Sequence, residues 1–199
     1  MSEFPEFPQL ETAHKSSGEV YDHVQRAFHW IMAIIIIVAV LLGLWASFLI
    51  PGTPLRRALL EVHKSFGMIS LLLIVPRIAY RLLVPGPTEL AHGTALTRAA
   101  AHGGHLLLYI LMIVMPVSGY LFSGAGGYSL PFFGLFSWPR IVPQDDALSK
   151  LGQAIHDWAA WVVYAMLLVH VAAVVVHEVF TPHSALARML PSWKRRSDP

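Results

Sequence analysis

Histidine sets the chemical problem in this sequence. Its 199 residues include 11 histidines and no cysteine. Without Cys there are no disulfides, iron–sulfur clusters, thiolate-held haems or covalent C-x-x-C-H haem attachments. Any haem must be non-covalent and held by His or Met. His29, His63, His105, His156 and His170 are among those that fall in or beside long apolar runs. An ionisable side chain is costly in such a setting and marks a functional candidate. His170 follows His156 by fourteen residues. On a helix that interval is about 21 Å along the axis, close to four turns, with both side chains within about 40° of one face. The same step of fourteen leads from His29 to Gly43, from His105 to Gly119 and from His63 to Arg77.

The elements that must position these residues are four apolar segments. They run from about 28 to 50, 62 to 84, 101 to 122 and 155 to 180, and Pro or Gly follows each. Each has about the 20 residues that cross a bilayer as a helix. Hydrophobic residues make up 55% of the chain and charged residues 13%, against roughly 45–50% and about 25% in soluble domains. In lipid every backbone polar group must be paired internally, so segments of this length must be helices. The expectation is an all-α integral membrane four-helix bundle at 28–180, between tails at 1–27 and 181–199. The N-terminal twenty residues are polar, so the first span reads as an uncleaved anchor. A net charge of +2 without a basic tract gives no case for nucleic acid. No internal repeat or low-complexity tract is evident. The loop between spans three and four carries Tyr128, Phe132, Phe133, Phe136 and Trp138, which suit an interfacial layer.

Nine Lys and Arg residues fall on the side of the two termini and five on the other. The positive-inside rule therefore places both termini in the cytoplasm. Depth then pairs the histidines. His29 and His170 share the inner level, and His63 and His156 share the outer level. A low-spin b haem needs two axial ligands from opposite sides, and bundle-core sites are built from facing helices. Gly43 and Gly119 face inward at the outer level, where a missing side chain makes room for a porphyrin. Arg77 at the inner level can pair with a haem propionate. The competing readings are bland: helix-end capping for a lone His, close helix packing for the glycines, and snorkelling for Arg77. His102 and His105, at i,i+3, are compatible with zinc or copper, although no H-E-x-x-H motif is present. His14, His23, His92 and His183 read as solvated.

The chain resembles the bacterial cytochrome b561 family, four-helix di-haem quinone-linked cytochromes, and within it the superoxide oxidase type. The matching residues are Gln25-Arg26-Ala27-Phe28-His29-Trp30, Val62-His63-Lys64-Ser65-Phe66-Gly67, Ala101-His102-Gly103-Gly104-His105 with Tyr109 and Pro116, and His156 through His170 to His177. The resemblance implies two haem b groups: His29 and His170 as iron ligands of the inner one, His63 and His156 of the outer one. It implies ubiquinone as a bound substrate near the inner haem, with His105 and His177 as neighbours. Glu178 stands where similar proteins can carry a second histidine. A bacterial inner-membrane, multi-pass location follows from the same resemblance.

Two stacked haems form an electron wire, and the protein tunes potential and access. One reading is an enzyme that oxidises superoxide outside and reduces ubiquinone inside. Arg56, Arg57, Lys64, Arg140 and Lys150 on the outer side would draw in the anion, and Glu61, Asp145 and Asp146 dilute that field. The alternative is a membrane cytochrome subunit relaying electrons between quinone and a protein partner such as a hydrogenase, dehydrogenase or soluble cytochrome. A transporter or metal channel has little support, because no inverted repeat is visible.

Overall fold

The computed structural model describes residues 20–87, 94–180, 186 and 188–190. Four long helices dominate: α1 (His23–Ser47), α2 (Pro54–Leu83), α3 (Ala95–Ala125) and α4 (Asp146–Phe180). All four are long and apolar enough to cross a membrane. Their starts are set by local chemistry. Asp22 caps α1, its carboxylate accepting from the N–H groups of Val24 and Gln25. Pro54 opens α2 at a position that needs no N–H. Thr94 caps α3 by accepting from Thr97 N–H at 3.2 Å.

Each helix begins before its apolar run: at His23 rather than 28, Pro54 rather than 62, Ala95 rather than 101, and Asp146 rather than 155. The apolar run measures only what lipid must cover, whereas the hydrogen-bond ladder continues through polar turns until a cap stops it. The bundle therefore starts within the segment read as an N-terminal tail, and His23, read as part of that tail, opens α1. His14, His92 and His183 lie outside the described residues.

The helices form two hairpins, α1–α2 and α3–α4, which approach each other through α2 and α3. No Cα of α1 lies within 8 Å of one of α4. Side-chain packing concentrates within the second hairpin, where Leu111 of α3 meets Ala159 and Val163 of α4. Many large apolar side chains elsewhere are exposed along the helices, which is stable only in a non-aqueous surround.

One end of the bundle carries the start of α1 and the end of α4, and is called the terminus end. At the other, the α3–α4 connection folds into a cap with a short antiparallel hairpin, β1 (Pro131–Phe132) and β2 (Phe136–Ser137), in which Phe132 faces Phe136. Ser65 of α2, fully buried, latches it: Ser65 Oγ accepts from Phe133 N–H at 2.9 Å, and its one hydroxyl proton is shared between Glu61 O at 2.9 Å and Pro131 O at 3.1 Å. The bond from Phe133 N–H holds that residue at φ 49°, a left-handed conformation costly for an aromatic residue. Lys64 Nζ donates to Ser129 O at 3.0 Å. The latch thus sits on the two residues that follow His63.

Candidate functional site

At the cap end, His63 from α2 and His156 from α4 face each other with ring centroids 6.1 Å apart and planes at 89°. Their orientation is fixed from behind. His63 Nδ1–H donates to Ala39 O of α1 at 2.8 Å, and His156 Nδ1–H donates to Met115 O of α3 at 3.0 Å. Ser118 Oγ adds a 3.2 Å contact to His156 Nδ1. With Nδ1 protonated and committed to a carbonyl, each ring presents Nε2 as the free lone pair, the arrangement that metal-ligating histidines use.

The glycines serve these rings. A Cβ on Gly43 would stand 2.9 Å from His63 Cε1 and 3.0 Å from its Nδ1; one on Gly119 would stand 3.1 Å from His156 Cε1. Both glycines face inward at the His63–His156 layer, as their spacing requires. The space they leave is taken first by an imidazole, where the sequence reading reserves it for the porphyrin. The reason is local. Each accepting carbonyl belongs to the residue one turn before the glycine, so the ring must lie against that glycine to reach it.

At the terminus end, His29 of α1 and His170 of α4 face each other with centroids 6.5 Å apart. His105 of α3 also reaches this layer, its ring 5.7 Å from that of His170. His105 Nδ1–H donates to Ala101 O at 2.8 Å, so its Nε2 is free as well. Arg77 of α2 joins them. Its Nε donates to Tyr109 Oη at 3.3 Å and its Nη1 to Phe28 O at 3.2 Å, with the guanidinium 5.4 Å from the Tyr109 ring centre. His177, seven residues beyond His170, lies on an exposed stretch of α4.

Two imidazoles bonded at about 2 Å to one metal ion from opposite sides hold their ring centres roughly 6 Å apart. Both pairs meet that condition. Among the described residues no three His, Asp or Glu side chains gather as a ligand set for a bare ion. Facing imidazoles, alone at the cap end and with His105 beside them at the terminus end, and with no carboxylate gathered at either, suit a metal whose other four positions come from a porphyrin. The residues fit two haems.

The sequence contains the rings but not what holds them. Ala39 and Met115 act through backbone carbonyls, and Ser118 through a hydroxyl. Their only sequence signal is a place four residues before a glycine, for Ala39 and Met115, or one before it, for Ser118, the glycine being itself fourteen from a histidine.

Helices that expose apolar surface on all sides and aim paired histidines at one another define a membrane cytochrome of the b type. The chain matches the family described as prokaryotic cytochrome b561 over residues 20–192, and it belongs to that family. It is 34% identical over 175 residues to cytochrome b561 homolog 2 of Escherichia coli (strain K12), covering 88% of this chain and 93% of the relative. It is 27% identical over 174 residues to the probable superoxide oxidase CybB of Yersinia pestis, covering 86% and 96%. Cytochrome b561 homolog 1 of Escherichia coli (strain K12) is 22% identical over 174 residues, with 87% and 98% covered.

Proposed function

We propose that this membrane cytochrome is a superoxide:ubiquinone oxidoreductase of the bacterial inner membrane, with both termini in the cytoplasm. The carrying observation is the two facing histidine pairs, one per layer, at 6.1 and 6.5 Å. The likeness to a protein named probable superoxide oxidase supports the choice of substrate. In this reading His63 and His156 hold the iron of the outer haem and His29 and His170 that of the inner haem. Gly43, Gly119 and Arg77 shape the pockets. Bound there, the haems supply one-electron transfer between the two faces. Two superoxide anions each lose one electron outside and leave as two O₂. The two electrons, with two protons taken up inside, convert ubiquinone to ubiquinol.

The chain's own residues have distinct tasks. Arg57, Arg140 and Lys150 are exposed at the cap end and raise the local concentration of an anion. Lys64 holds the cap loop through Ser129 O while adding its charge beside His63. His105 and His177 act as polar partners of the quinone, since imidazole can donate to a carbonyl oxygen and be reprotonated from water. Arg77 offers its guanidinium to a haem propionate.

The alternative, an electron relay to a protein partner, draws on the relative at 34% identity, whose name specifies no substrate. Anaerobic mixing of the haem-loaded protein with superoxide separates the two. The expected result is haem reduction by superoxide, followed by reoxidation when ubiquinone is added. Haems that dithionite reduces but superoxide does not would leave the relay.

A further inference from the structure

The terminus-end layer holds one imidazole more than a ligand pair requires. His29, His105 and His170 reach it from α1, α3 and α4. His170 is common to both close pairs. Its ring centre lies 6.5 Å from that of His29, with planes at 53°, and 5.7 Å from that of His105, with planes at 81°. Two imidazoles on opposite sides of one metal ion hold their centres roughly 6 Å apart. The two distances fall on either side of that value, so spacing alone does not choose the partner of His170.

What lies behind each ring separates the candidates. At the cap end both rings are fixed by an Nδ1–H bond to a carbonyl, His63 to Ala39 O and His156 to Met115 O. At the terminus end the ring with that device is His105, through Ala101 O at 2.8 Å. Its bond is to its own helix rather than to a neighbouring one, but it fixes the same tautomer and leaves Nε2 as the free lone pair. Among the described residues neither His29 nor His170 makes a hydrogen bond through its ring. Loss of such a support costs a ligand about ten- to hundred-fold in metal affinity, so the comparison of His29 with His105 favours His105. Exposure acts the other way. His105 is exposed and His29 half-buried, so holding His105 on a metal costs rotamer freedom that His29 has already given up. The two effects oppose each other, and His170 has two competent partners.

We propose that the terminus-end haem site has two usable ligand pairs, with His29–His170 in place at rest and His105–His170 able to replace it. This rests on the reading that an inner haem occupies the layer. In the exchange the bond from His29 Nε2 to iron breaks and one from His105 Nε2 forms; His170 stays bonded, and no electron or proton is gained or lost. The second pair has a use. A haem iron with an open position is accessible to O₂, which an electron-transfer site must prevent, and His105 closes that position when His29 lets go. The same exchange withdraws His105 from the quinone, so ligation of the iron and contact with the quinone compete for one ring.

The test uses the full haem-loaded chain and reads haem content by pyridine haemochrome and spin state by optical and electron paramagnetic resonance spectra. His29→Ala, His105→Ala and the double variant are prepared with imidazole present and then dialysed free of it, so that folding does not depend on the missing ring. His29→Ala and His105→Ala should each keep both haems low-spin after dialysis. The double variant should keep a low-spin outer haem, and its inner haem should be lost or turn high-spin until imidazole is restored. An inner haem lost or high-spin in His29→Ala, as in the double variant, would overturn the proposal. So would a low-spin inner haem in the dialysed double variant, because a ligand other than His105 would then close the site. His170→Ala is the control for the layer: an inner haem that stays low-spin there would remove both pairs, and with them the reading of this layer as a haem site.

Discussion

The substitution Gly43→Ala tests the backing of the cap-end pair with one methyl group. Its Cβ would lie 2.9 Å from His63 Cε1 and 3.0 Å from Nδ1, where 3.4 Å begins ordinary contact. The ring must therefore retreat by about 0.5 Å, and overpacking of that kind costs about 1–3 kcal/mol. The retreat is opposed by the 2.8 Å bond from Nδ1 to Ala39 O, whose loss adds about 1 kcal/mol. Alanine recovers up to about 1 kcal/mol of helix propensity, leaving a net cost of about 1–3 kcal/mol on the placement of His63. Through the link from a ligand's support to metal affinity, that is a ten- to hundred-fold loss of outer haem affinity. Gly119→Ala meets His156 at 3.1 and 3.2 Å, so the same ring movement is smaller and the loss milder. Gly67→Ala meets nothing within 4 Å and should be neutral or stabilising. Haem content per chain, redox titration and thermal melting of the three variants give the ordering. Wild-type haem content, potentials and melting for Gly43→Ala would refute the idea that glycine is required by the ring behind it.

Three further outcomes follow from the site. Pyridine haemochrome analysis of the purified protein should give two non-covalent b haems per chain, and a ratio near one or zinc in place of iron would remove the two-haem reading. His63→Ala and His156→Ala should lose the outer haem and keep the inner one, with His170→Ala doing the reverse. Loss of the same haem from all three, read by separate redox titrations, would break the assignment of pairs to layers. Replacing His105 or His177 should slow ubiquinone reduction while both haems stay bound and reducible by superoxide; unchanged quinone kinetics in the double variant would move the quinone elsewhere.

The layered arrangement is legible in the sequence because a helix converts residue number into depth at a constant rise. Fourteen residues separate His156 from His170, and both reach partners at the levels that spacing assigns. Direction around the helix axis is less legible. His29 and His105 share a level, and depth alone does not reveal that His105 lies as near to His170 as His29 does. The cap latch is not legible at all. Ser65 bonds residues 66 and 68 positions away, and nothing local to a serine on an apolar helix announces a distant hairpin. Helix starts are misread for a different reason: Leu55-Arg56-Arg57 and Thr97-Arg98 break the apolar run without breaking the helix.

The two hairpins repeat one device at the cap end and depart from it at the other. In each, a glycine on the first helix receives an imidazole from the second, and the carbonyl one turn before that glycine takes the Nδ1 proton. Fourteen residues away the correspondence breaks, because α2 places Arg77 where α4 places His170. The terminus-end layer thus holds three imidazoles and a guanidinium, and the cap-end layer holds two imidazoles whose Nδ1 protons are already committed. One layer has a ring to spare and the other has none. The two half-reactions differ in the same sense. Superoxide becomes O₂ by giving up an electron, with no proton to move. Ubiquinone becomes ubiquinol only by gaining two protons with its two electrons, and needs a titratable donor within reach. For the activity proposed above, the surplus imidazole therefore favours quinone reduction at the terminus end and superoxide oxidation beneath the cap.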